Sequence, residues 1–248
     1  MVTRRNIAAV SFDVANSVED VHTSSETQLK AAKQISELLG KAGHSVPQDA
    51  ISFRETLLER YRKYHARRLV TYREAPILDF WTRHILPDVD QAVVREGLDR
   101  LTEIWLYTWY ERAVIDGAAG ALRSLRAAGV RLACISNTIS GATTRSSLRK
   151  MGLEDLDSVV LSEEVGMRKP HEKVFLQAAS ELGVRADQVC HVGDQLARDV
   201  VGSIAAGYGM SVLIGDRSSG SWHDSEAVWP DASIASIREL PSLLLGDV

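Results

Sequence analysis

The chain has 248 residues, 45% hydrophobic and 25% charged, with a net charge of −4. That length supports a sizeable core in one large domain or two smaller ones, and the charge gives no bulk electrostatic basis for binding nucleic acid or an anionic membrane. No segment approaches the roughly 20 apolar residues that span a bilayer, and the run 7–10 behind Arg4-Arg5 is too short, and too soon interrupted by Asp13, for a signal peptide.

The first predicted strand, 7–12, is an apolar run ending at Asp13, with Val14-Ala15-Asn16-Ser17 next. About a hundred residues of little strand character follow, judged by helix-length priors. Periodicity predicts helices over 26–42, 49–69, 77–85 and 90–112, with Pro47, Pro76 and Pro87 near helix starts or in connecting loops. Leu57, Leu58, Tyr61, Tyr64 and His65 recur at the three- and four-residue spacing of one helix face. The basic run 60–68 spreads its charges around that helix and is expected to be a solvated face, with one or two arginines as candidates to reach a negatively charged substrate tail. Trp105 and Trp109 lie one turn apart, and Trp81 joins them as core or as an interface between helices or subunits rather than a stacking site.

From Gly117 the pattern changes. A helix over 118–128 stops at Gly129, a C-cap, and strands then recur near Leu132, Val159, Val189 and Val212 with helices between them. Cys134 and Cys190 each sit in such an apolar run, as buried free thiols of a reducing, cytoplasmic compartment would. The stretch 216–231, rich in Ser, Gly and Trp, reads as an irregular surface loop. Alternating β and α elements predict a parallel sheet covered on both faces. The expected fold class is therefore α/β: a doubly wound parallel sheet from 1–20 and 113–248, with an all-helical insert over 21–112.

Four chemical signals fall on predicted strand ends or helix starts: Asp13; Ser136-Asn137; Lys169-Pro170; and Gly193-Asp194 followed by Asp199. The C-terminal edge of an open α/β sheet is where ligands bind. Carboxylates there suit a hard cation such as Mg²⁺.

In order and spacing these signals resemble the haloacid dehalogenase superfamily of hydrolases, over nearly the whole chain. The resemblance implies a Rossmann-like core with a helical cap inserted after the first motif, closing over the site and selecting the substrate. It implies that Asp13 is a nucleophile forming an aspartyl-phosphate that water then hydrolyses. Ser136 and Asn137 would donate to a phosphate oxygen, both types also being favoured as N-caps for the helix after Ser140. Lys169 would offset negative charge on the nucleophile and phosphoryl group, with Arg168 a solvent or cap contact and His171 an early helix residue. Mg²⁺ would be held by Asp13, Asp194 and the backbone carbonyl of Ala15, with Asp199 in its outer sphere or orienting Lys169.

Two departures stand out. Ala15 occupies the position where many relatives carry a second aspartate, a general acid–base worth about 10²–10⁴-fold. Asn16-Ser17 replaces the common Gly-Thr; Asn tolerates a left-handed backbone, and serine could still bond the nucleophile loop. Metal-independent dehalogenases of the superfamily resemble Ser-Ser-Asn rather than Gly-Asp in the last loop, which favours phosphorus and Mg²⁺ here. The expected function is a Mg²⁺-dependent hydrolase of a small phosphorylated metabolite, monomeric or homodimeric. The alternatives are a phosphonate hydrolase using Lys30, Lys33, Lys41 or Lys63 as a Schiff base, or a catalytically weak or inactive binding or regulatory protein.

Overall fold

The computed structural model describes residues 6–44, 49–215 and 228–246. Arg4-Arg5, Pro47 and the part of the expected surface loop over 216–227 lie outside the described residues. The chain divides into two compact units, Met1–Asp20 with Val114–Val248, and Val21–Ala113.

The first unit is built on strands β1 (Ala9–Phe12), β4 (Arg131–Ser136), β5 (Ser158–Leu161), β6 (Val189–Gly193), β7 (Met210–Ile214) and β8 (Ala232–Ile234). All pairs are parallel, in the order β5-β4-β1-β6-β7-β8. The winding runs outward from β1 in both directions, so β1 is where it reverses and where a ligand crevice forms. Side chains alternate between two covered faces, as the two-residue period of a strand demands. Val10, Phe12, Leu132, Cys134 and Val192 pack with Leu122, Leu125 and Leu148 on one side. Ala9, Ala133 and Ile135 pack with Val174, Phe175, Ala178 and Leu182 on the other. Both cysteines are buried and free.

In the second unit, the helix Ser25–Lys41 starts at a capping box on Ser24, and the helix Ala50–Thr71 starts at Asp49, whose carboxylate accepts from the amides of Ile51 and Ser52. The expected helices 77–85 and 90–112 are not regular. Phe80–Ile85 and Trp105–Trp109 are π-helical, and a break at Gly97 separates Gln91–Glu96 from Leu98–Ile104. These wider turns carry the large aromatics: Trp105 stacks on Trp109 at 4.5 Å and meets Trp81 edge-on at 5.6 Å, while Trp81 Nε1 donates to Thr102 at 3.1 Å. Trp81, Trp105 and Trp109 are buried core. Periodicity alone cannot show one extra residue in a turn.

A second correction concerns strands. Glu19–His22 (β2) and Glu111–Val114 (β3) form a two-stranded sheet, the latter overlapping the last two residues of the helix expected over 90–112. Both are short and largely polar, held by backbone pairing that leaves no hydrophobic alternation to read.

A third correction concerns the basic run. Arg68 is buried rather than solvated, paired with Glu74 at 2.9 Å, and its guanidinium sits 4.5 Å over the Tyr64 ring. Arg60 pairs with Asp88.

Candidate active site

Register places the chemistry at one end of the sheet. Phe12 lies opposite Cys134 on β4 and Val192 on β6, and the amide of Asp13, the next residue, donates to Val192 O at 3.0 Å. Asp13 therefore emerges where β4 delivers Ser136 and β6 delivers Gly193-Asp194. Gly193 is required here: a Cβ would stand 2.4 Å from the Asp199 carboxyl carbon. That space brings Asp199 against the strand end, where the Gln195 amide donates to its Oδ2 at 3.0 Å.

Lys169 lies between two carboxylates. Its Nζ is 2.9 Å from Asp13 Oδ1 and 2.6 Å from Asp199 Oδ1. All three side chains are buried. Burial raises the Asp13 carboxyl to about 6, against the pull of the Lys169 ammonium. Burial opposes ionisation of Asp199 too, but Lys169 and the His191 hydrogen bond hold it well below the usual carboxylate range. Burial disfavours the Lys169 ammonium, yet the two carboxylates keep its pKa above the ordinary value.

Asp194 completes an acidic group: oxygens of Asp13, Asp194 and Asp199 lie within 4.8 Å of one another. Asp194 Oδ2 accepts from Asn16 Nδ2 at 3.1 Å and Gln195 Nε2 at 2.8 Å. Its Oδ1 is buried with no hydrogen-bond partner among the described residues. Two of the three carboxylates meet the Lys169 ammonium, and a buried oxygen of the third stands orphaned beside them. An all-oxygen set with excess negative charge fits a hard divalent cation.

The other expected site residues fall as follows. Ser136 is buried at the end of β4. The amide of Asn137 is committed to the backbone of Lys169, accepting from its N at 2.8 Å and donating to its O at 3.1 Å. These two bonds clamp the lysine loop and leave the second Nδ2 hydrogen of Asn137 for the expected donation to substrate. Ser140, not Ser136 or Asn137, caps the helix Gly141–Lys150. Ala15 is half-buried and bridges to Glu19. Asn16 is left-handed at φ 56°, but Ser17 Oγ is buried without a hydrogen bond among the described residues instead of bonding the nucleophile loop. Arg168 is buried rather than solvated. His171 is the N-cap of Glu172–Leu182, its Nδ1 accepting from Lys173 N. Lys30, Lys33, Lys41 and Lys63 are all exposed, and Lys63 pairs with Glu59. None has the desolvated setting that activates a Schiff-base lysine.

Two contributors escaped the sequence reading. Asn16 was read for its backbone alone, and its amide holds Asp194. His191, a lone polar residue inside an apolar strand, reaches Asp199 Oδ1 through Nε2 at 3.3 Å. A buried polar side chain in a core strand requires a partner, and that requirement was the available signal.

Residues 7–207 match the family described as haloacid dehalogenase-like hydrolase. The chain is 34% identical over 87 residues to the glyceraldehyde 3-phosphate phosphatase of Methanopyrus kandleri, covering 35% of this chain and 37% of that protein. It thus spans little more than a third of that relative's length. It is 28% identical over 243 residues to (S)-2-haloacid dehalogenase 1 of Pseudomonas sp., covering 96% of this chain and 97% of that one. The crystal structure of a 2-haloacid dehalogenase from Pseudomonas syringae superposes with a TM-score of 0.68 at 24% identity, covering 96% of this chain and 98% of that one. No described helix is long and apolar enough to cross a membrane.

Proposed function

The chain belongs to the haloacid dehalogenase-like hydrolases, and from that premise we propose that it hydrolyses small phosphate monoesters through an aspartyl-phosphate formed on Asp13. The observation that carries this reading is the orphaned, buried Asp194 Oδ1 beside Asp13 and Asp199. Such a set calls for a cation, and carbon–halogen cleavage by a carboxylate needs none.

In this reading Asp13, Asp194 and the Ala15 carbonyl would hold Mg²⁺, with Asp199 as acidic support, and the ion would supply positive charge to the transferring phosphoryl group. Asp13 attacks phosphorus, the ester P–O bond breaks, and the leaving oxygen departs as the alkoxide or aryloxide and takes its proton from water. Water then attacks the phosphorus of the acyl phosphate, releasing inorganic phosphate and restoring the carboxylate. Lys169 keeps Asp13 ionised and neutralises charge as it develops. Ser136 donates to a phosphoryl oxygen. With Ala15 in place of a proton donor, the enzyme favours esters whose leaving oxygen is stable without a proton. The relative named as a glyceraldehyde 3-phosphate phosphatase supports a small phosphorylated substrate.

A second reading has its own support. The relative matched along nearly its whole length is named as a haloacid dehalogenase, and halide is a leaving group for which the missing acid is no loss. One experiment separates the two: phosphate release from a panel of phosphomonoesters with Mg²⁺ and with EDTA, beside halide release from 2-chloropropionate. Mg²⁺-dependent phosphate release is expected; EDTA-insensitive halide release without phosphate release replaces the first reading by the second.

A further inference from the structure

Behind Asp13 a continuous polar chain runs through the core: Ser11, His191, Asp199, Lys169, Asp13. Ser11 and His191 sit directly opposite each other on β1 and β6. Ser11 Oγ lies 2.8 Å from His191 Nδ1, and His191 Nε2 lies 3.3 Å from Asp199 Oδ1, the same oxygen that meets Lys169 Nζ at 2.6 Å. Ser11, His191 and Asp199 are at most 1% exposed, so no solvent competes for these bonds. The imidazole is fixed on its flanks as well. Phe175 meets it edge-on at 5.0 Å and Tyr208 at 6.4 Å, and Tyr208 is itself anchored by its hydroxyl to Phe175 O at 2.7 Å.

The partners determine where the ring proton sits. A carboxylate only accepts, so Nε2 facing Asp199 carries the hydrogen; Nδ1 is then an acceptor, and the Ser11 hydroxyl donates to it. Asp199 is thereby held on every side: Oδ2 by the Gln195 amide, Oδ1 by Lys169 and by His191.

We propose that His191 is a positioning residue for the reaction: its Nε2–H fixes Asp199, and Asp199 fixes the Lys169 ammonium against the nucleophile Asp13. The part played by Lys169 rests on the phosphoryl-transfer reading; the tautomer and the Asp199 contact do not. His191 touches neither Asp13 nor Asp194 in this chain of bonds and acts only through Asp199. Groups that orient a reacting group in this way typically change activity by about 10–100-fold when removed, without a matching change in substrate affinity.

The test uses the full chain. His191→Phe keeps a flat ring between Phe175 and Tyr208 and removes the donor; His191→Gln restores an N–H at similar reach. With p-nitrophenyl phosphate and Mg²⁺, His191→Phe is expected to lower kcat about 10–100-fold at nearly constant KM, and His191→Gln to recover most of it. Ser11→Ala should lower kcat by less. Long-range ¹H–¹⁵N correlation of the wild-type imidazole is expected to show the Nε2–H tautomer, and the Lys169 ammonium resonance is expected to move in His191→Phe. A wild-type kcat in folded His191→Phe, or an Nδ1–H tautomer, overturns the proposal. If His191→Phe fails to fold, Ser11→Ala and the wild-type tautomer decide it. If wild type turns over no phosphate ester, the phosphatase reading fails alone, and the tautomer and the Lys169 resonance still decide the role of His191.

Discussion

The two units each bury an ion cluster, and the clusters are built on opposite principles. In the helical unit, Arg68 faces Glu74 one to one, with the Tyr64 hydroxyl also donating to Glu74 at 2.7 Å. In the α/β unit, the Lys169 ammonium meets two buried carboxylates, Asp13 and Asp199, and the half-buried Asp194 lies beside them. A one-to-one pair leaves no excess of charge. An unbalanced cluster is costly to bury unless another positive charge joins it. The first arrangement fixes a fold; the second creates a demand for a ligand. Burial of charge alone does not mark a functional site, whereas excess of one sign does.

Four measurements would break or sharpen that contrast. Asp13→Asn should lower phosphate-ester turnover more than about 10³-fold, since Asp199 is tied to Lys169 and His191 and the reading gives Asp194 to the cation; steady-state assays that find substantial residual turnover would remove Asp13 from its role. Glu74→Gln leaves Arg68 buried without its counter-charge and should cost about 3–5 kcal/mol of stability. Urea unfolding measures that cost, and a loss under about 1 kcal/mol would mean the pair is more solvated than its burial implies. Asp194→Asn should weaken Mg²⁺ binding by more than the roughly 10–100-fold typical of losing a merely supporting group, read by calorimetry. The smallest effect is on pH. Asp13 titrates at about 6 in the metal-free protein, so below that pH a proton must leave before a cation binds. Mg²⁺ affinity should be about tenfold weaker at pH 5 than well above 6, and equal affinity at the two values would mean that Asp13 is no ligand.

Much of the α/β unit was legible because its physics is written in residue types. Apolar runs such as Val189-Cys190-His191-Val192 end at polar residues, and a strand buried on both faces has no alternative composition. The missed features share a different cause. β2 and β3 are short, largely polar strands held by backbone pairing, which side chains barely record, and β8 (Ala232–Ile234) buries a single large apolar side chain, Ile234. Arg68 looked like its solvated neighbours because its counter-charge, Glu74, lies beyond the end of the helix. Asn137 was read as a donor to substrate from its position beside Ser136, and only the folded loop shows its amide committed to Lys169.

The pairing of β2 with β3 has a consequence for how such a chain can change. Neighbouring strands lie about 4.8 Å apart, so the segment that leaves after β2 returns beside its own point of departure. To the sheet that carries Asp13, Ser136 and Asp194, everything between His22 and Glu111 is topologically a single long loop with its ends already joined. Closing a longer or shorter loop across the same gap changes the chain entropy only logarithmically. By that count, exchanging the helical unit whole between β2 and β3 is expected to leave the register of β1 with β4 and β6 unchanged.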